Sequence, residues 1–145
     1  MCGVILRVRA TFWRSTDGVT WTQVAGHAPW DARDGLGASI LGSELYIAFG
    51  TDSVWRTPDG ETWYQVVMDL ESPLSGRRAP MVTFGGRLWT LGGWTYDAWF
   101  SDDGETWCLG NSNLGFQNGS YTSTVVFGTE IVVVTNYGEV VAAAL

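Results

Sequence analysis

An Asp-Gly pair stands three times in nearly the same phrase: "RSTDGVTWTQV" (14–24), "RTPDGETWYQV" (56–66) and "FSDDGETWCLG" (100–110). Asp17, Asp59 and Asp103 lie 42 and 44 residues apart, and so do Trp21, Trp63 and Trp107, and Trp13, Trp55 and Trp99. A second phrase returns every 43 residues as "LGSELYIAFG" (41–50), "FGGRLWTLGG" (84–93) and "FGTEIVVVTN" (127–136). A fixed internal period constrains architecture more than any single residue does, because each repeat must be one structural unit stacked on the next.

Each unit holds short apolar runs rich in β-branched and aromatic residues, separated by Gly-containing turns, and no run sustains a helical period. The second copy predicts four strands, at about 37–41, 45–49, 53–57 and 62–67. Turns of a few residues join the first to the second and the third to the fourth as antiparallel hairpins. Four strands in a period near 43 are the signature of a β-propeller blade. Asp-Gly then falls in the hairpin between the third and fourth strands. Glycine takes the positive φ of the turn, and the Asp carboxylate accepts from the turn's own amides. The Ser or Thr two residues earlier joins that network, and the Trp three residues after Gly folds over its base. Asp17, Asp59, Asp103, Trp21, Trp63 and Trp107 are therefore read as a structural staple. A catalytic carboxylate has no reason to recur at a structural period.

With 145 residues the chain has room for one domain with a real core. Hydrophobic residues make up 46%, nine of the residues are Trp, and charged residues are only 16%, which is a globular composition. Net charge is −7 and every basic residue is Arg. That balance lacks the basic stripe a nucleic acid needs and disfavours an anionic membrane surface. No apolar run approaches the length of a spanning helix, and "MCGVILRVRATFW" does not read as a signal peptide, so localisation stays unassigned. Cys2 and Cys108 cannot build a disulfide framework or a metal cluster, and are read as two small buried hydrophobes.

The phrases "APWDARDG" (28–35), "GRLWTLGGWTYDAWFSDDGETW" (86–107) and "FWRSTDGVTWTQV" (12–24) resemble kelch-type propeller repeats of the galactose-oxidase-like kind. The S/T-x-D-G-x-T-W part also resembles the Asp box of sialidase-type propellers, shortened by one residue between Asp and Gly. The resemblance covers nearly the whole chain and implies an all-β propeller. It implies little about function, because such families include binding scaffolds and glycan-related enzymes. Galactose oxidase needs two His at copper, whereas this chain has His27 alone. Sialidases need an Arg triad and a Tyr–Glu pair. Arg33, Arg77 and Arg78 stand near blade entries, but no Arg-Ile-Pro phrase occurs. No cofactor, metal or catalytic residue is assigned on this basis.

Aligning the copies puts blades at 36–67 and 79–109, with a three-strand remnant at each end (2–24 and 121–145), so the 145 residues read as a single domain of about three and a half blades. Such an arc leaves two apolar faces uncovered, which points to a fragment of a larger propeller or to self-association. Two identical copies cannot share seven equal blades, because a half-turn maps blade centres onto gaps.

Function is expected on the loops between blades and between second and third strands, opposite the Asp-Gly hairpins. The candidate ligand-binding residues there are Trp30, Arg33, Arg77, Trp94, Tyr96, Asp97 and Tyr137. Aromatic rings beside polar groups grip a sugar ring or a protein hot spot. Trp30 has a competing reading as packing against a blade edge, and Arg33 and Arg77 one as partners of loop acids such as Asp34. Asn118-Gly-Ser120 matches a glycosylation acceptor and equally a turn. The expected function is a non-catalytic interaction module for protein or glycan. The alternative is a fragment of a glycan-active, sialidase-like or galactose-oxidase-like enzyme whose site is completed by further blades or a partner copy.

Overall fold

The computed structural model describes residues 10–30, 35–49, 53–66, 74, 77–93, 95–116, 122–135, 138 and 140–143, in two compact units, 1–33 and 34–145. In the first unit β1 (Phe12–Arg14) pairs antiparallel with β2 (Thr22–Ala25) across the Asp17-Gly18 turn. These are the expected third and fourth strands of a blade. The strand expected before them lies outside the described residues.

The second unit holds three sheets in sequence order. β3 (Leu36–Leu41), β4 (Glu44–Phe49), β5 (Ser53–Thr57) and β6 (Tyr64–Val66) form an antiparallel meander, and so do β7 (Met81–Phe84), β8 (Arg87–Leu91), β9 (Ala98–Ser101) and β10 (Cys108–Asn111). A third sheet holds β11 (Ser123–Phe127), β12 (Glu130–Val134) and β13 (Val140–Ala143). Four strands, four strands and three strands match the periodic reading. The fourth strand expected from residue 62 begins at Tyr64, because the Thr62 amide is still held by the Asp59 carboxylate in the turn.

Alternation divides each sheet into two faces, and the faces explain the stacking. On β3–β6 one face carries Tyr46, Val54 and Val66, which pack with Met81 and Leu88 of β7 and β8. The other face of β7–β10 carries Val82, Trp89, Leu91 and Ala98, which pack with Ile131 and Val133 of β12. Leu88, Ile131 and Val54 are fully buried, and each such side chain contributes about 1.5–3 kcal/mol by leaving water. The innermost strands β3 and β7 come very close. A Cβ on Gly37 would stand 2.7 Å from the Met81 backbone nitrogen, so this position admits no side chain. The remaining face of the last sheet, with Val125, Val132, Val134 and Val140, stays largely exposed.

Candidate functional site

The three Asp-Gly turns share one hydrogen-bond pattern. Between β5 and β6 the Thr57 hydroxyl donates to Asp59 Oδ1 (3.0 Å), while the Glu61 and Thr62 amides donate to the same oxygen at 2.8 and 2.7 Å. The Gly60 amide donates to Thr57 Oγ1 at 2.8 Å. Ser15 and Asp17, and Ser101 and Asp103, repeat this arrangement. The amides stabilise the ionised carboxylates. The Thr62 and Glu61 donors hold the Asp59 pKa at about 2, the Thr20 and Val19 donors hold Asp17 well below the usual carboxylate range, and the Thr106 amide lowers Asp103. A carboxylate so committed to its own turn is a poor proton carrier at neutral pH. Trp107 Nε1 closes the third turn by donating to the Gly104 carbonyl at 3.3 Å.

The loop between β8 and β9 carries three of the candidate residues, Trp94, Tyr96 and Asp97. Arg77 is buried and meets Asp97 side-on, Nη1 to Oδ1 at 2.5 Å and Nη2 to Oδ2 at 2.8 Å. Thr95 donates to Oδ1 at 2.6 Å and Trp99 Nε1 to Oδ2 at 2.9 Å, so each oxygen of Asp97 accepts twice. The Arg77 guanidinium, with help from Thr95 and Trp99, holds the Asp97 carboxyl well below its ordinary pKa. Arg77 therefore pairs with a loop acid, Asp97, twenty residues on. Asp97 directs both of its carboxylate oxygens to these partners within the protein. What the pair does is anchor a loop. Gly92 N–H donates to the Asp97 carbonyl, Arg77 reaches the Gly92 carbonyl, and Leu114 N–H donates to the Tyr96 carbonyl at 2.6 Å. Tyr96 sits between these anchors with its side chain exposed.

Trp30 is half-buried in the first unit. Arg33, Trp94, Tyr137 and the Asn118–Ser120 phrase lie outside the described residues. Cys108 is exposed on β10, and this overturns its reading as a buried hydrophobe. All four residues of β10 are exposed, because a fourth strand is the outer edge of its sheet. Among the described residues no group of three His, Cys, Asp or Glu side chains could hold a metal ion, and no helix is long and apolar enough to cross a membrane.

One feature escaped the sequence. The first strands β3, β7 and β11 border an open cleft of about 530 Å³, lined by Ser39, Thr83 and Thr124 among Ile40, Val82 and Val126. Ser39 Oγ and Thr83 Oγ1 are 2.8 Å apart, and Thr83 also donates to the Ile40 carbonyl. None of its lining residues is ionisable, so it offers hydroxyls, backbone groups and apolar surface. The signal was a Ser or Thr near the middle of each first strand.

No family model matches the chain, and no curated protein matches it by sequence. Solved structures do match. Virginiamycin B lyase from Staphylococcus aureus aligns at a TM-score of 0.53 and 9% identity, over 93% of this chain and 48% of its own. YCF48, solved with a D1 peptide bound, aligns at 0.54 and 22% identity, over 90% of this chain and 43% of its own. Both are propellers. The chain has the β-propeller fold. Its 145 residues span less than half the length of these two propellers, and at such identities the likeness carries the fold alone. The sheets β3–β6 and β7–β10 are its four-stranded blades.

Proposed function

We propose that this propeller segment is a non-catalytic interaction module that binds a protein partner through the loop between β8 and β9. The observation that carries this reading is Tyr96, an exposed aromatic ring on a loop fixed by the Arg77–Asp97 pair and by Leu114. A ring presented on a rigid support loses little freedom on binding, which is what makes tyrosine an effective anchor. Trp94 and Tyr137 are further contact candidates in the sequence of this unit, and Trp30 and Arg33 stand as separate ones in the first. YCF48, which shares the fold, was solved with a peptide bound, and this favours a peptide over a glycan as the first ligand to test. In this reading the Asp-Gly turns are Asp-box-like hairpins of a kelch-type scaffold, with a structural role.

The test is to pan a displayed peptide library, alongside a glycan array, against the chain and its Tyr96→Ala variant. Peptides that bind the parent chain and lose about tenfold in affinity with Tyr96→Ala, the size of a modest hot spot, support the reading. Binding untouched by Tyr96→Ala places the surface elsewhere. Hits confined to glycans reassign the ligand to carbohydrate.

A further inference from the structure

Neighbouring blades in this chain meet by one repeated contact, and both halves of that contact recur uncovered. The first half is the face bearing Tyr46, Val54 and Val66. It is covered by the next blade, whose Trp107 packs on that cluster and whose Asp103 carbonyl accepts from the Tyr46 hydroxyl at 3.2 Å. Tyr46 is the sixth residue of its phrase, and the sixth residues of the next two copies are Trp89 and Val132. The Trp89 face is covered in turn by Ile131 and Val133. The Val132 face is not. Its strands set Val125 opposite Val132 and Val134 opposite Val140, and Val140 and the adjoining Phe127 are 69% and 75% exposed.

The second half is the tryptophan-bearing face of the following repeat. Trp99 and Trp107 are half-buried, and so are Trp55 and Trp63 one period earlier. Their counterparts in the first copy, Trp13 and Trp21, are 49% and 57% exposed. The chain therefore carries an open face of the kind that is elsewhere covered by a tryptophan hairpin, and an open tryptophan hairpin of the kind that elsewhere covers such a face.

We propose that the β11–β13 face of one copy, centred on Val132 and Val140, is the docking surface for the Trp13–Trp21 hairpin of a second copy. The contact joins two different patches, so it is head-to-tail. It closes into a ring where the rotation allows and runs on as a chain of copies where it does not. The occupant is a second copy because the hairpin that covers the equivalent face where β3–β6 meets β7–β10, the one bearing Trp107, has its counterpart in this chain's own Trp13–Trp21 hairpin. The face is apolar, with Glu130 at its rim, so association depends on burying it and only weakly on salt.

Sedimentation and light scattering on the 145-residue chain test this at several protein and salt concentrations. The parent chain is expected to run above its 15.9 kDa monomer mass in a concentration-dependent way that salt barely alters. Trp21→Lys and Val140→Lys are each expected to run as monomers. An equimolar mixture of the two is expected to restore a dimer, because the first retains the β11–β13 face and the second retains the hairpin. Near-UV circular dichroism checks that each variant is folded, and Phe127→Lys replaces Val140→Lys should that one unfold. A parent chain monodisperse at 15.9 kDa overturns the proposal. Variants that associate like the parent overturn it too, and a mixture that stays monomeric shows that the contact is not head-to-tail.

Discussion

The Tyr46 hydroxyl donates to the backbone carbonyl of Asp103 at 3.2 Å, and its ring lies against Gly104, so the turn of one blade is seated on the second strand of the blade before it. Burial and the nearby Glu44 carboxylate, whose Oε2 also lies 3.3 Å from the hydroxyl, raise the pKa of Tyr46. Gly104 is needed twice over. Its φ is +79°, and an added Cβ would stand 2.8 Å from Tyr46 Cδ1 and closer still to Cε1. Gly104→Ala is expected to cost about 2–4 kcal/mol, from left-handed strain and overpacking together. Gly18→Ala has a similar φ of +74° but nothing within 4 Å, and should cost only the strain, about 1–2 kcal/mol. Urea midpoints at one fixed protein concentration measure both. Equal costs would show that Tyr46 does not rest on Gly104.

Asp97 holds the β8–β9 loop through Arg77, Thr95 and Trp99 at once. Asp97→Ala leaves a buried guanidinium without its carboxylate. Breaking a buried pair costs about 3–5 kcal/mol, and the partial exposure of Asp97 reduces the expectation to about 2–4 kcal/mol. Amide exchange should quicken at Gly92 and Leu114, whose bonds run through this loop. A stable variant with unchanged exchange there would mean that the loop is held by other contacts.

The four lowered carboxylates give the fold a defined acid sensitivity. Asp17, Asp59, Asp97 and Asp103 all have folded pKa values below the 3.8 of a free Asp. In acid the unfolded chain binds more protons, so their stabilisation is complete above about pH 5 and falls away as pH drops through the folded values. For Asp59 that loss runs from about pH 4 to its folded value of about 2. Denaturant midpoints should therefore be level from pH 7 to 5 and decline below 4. Asp97→Asn should flatten part of that decline. A midpoint unchanged down to pH 2 would show that these carboxylates are unpaired in solution.

The parts that were legible in the sequence are the local ones. Asp59 satisfies its turn with amides two and three residues away, so composition alone announces it. The pairing of Leu36–Leu41 with β4 follows from the short turn between them. Arg77 reads from the sequence as a ligand candidate or as the partner of a loop acid such as Asp34, but which acid it meets is not legible there. The Asp97 pair spans twenty residues, and only the folded loop brings the two together. The burial of Cys108 was misjudged because residue type says nothing of a strand's rank in the sheet. The cleft depends on three first strands from successive repeats coming together, which no single window of sequence contains.

The inner strands supply the last prediction. β3 and β7 approach so closely that a Cβ on Gly37 would stand 2.7 Å from the Met81 nitrogen and 2.9 Å from the Ala79 carbonyl oxygen. At Gly104 the obstacle is a side-chain ring that can turn aside. At Gly37 it is backbone at both points, and backbone can yield only by separating the blades. That separation would disturb the Met81 and Leu88 packing and the Ser39–Thr83 hydroxyl pair together. Gly37→Ala should therefore cost at least the upper part of the overpacking range, about 3 kcal/mol. It should also widen the cleft, which a solved structure of the variant would show. If Gly37→Ala proves as stable as the parent, the close approach of β3 and β7 is wrong, and with it the placement of the inner strands around the cleft.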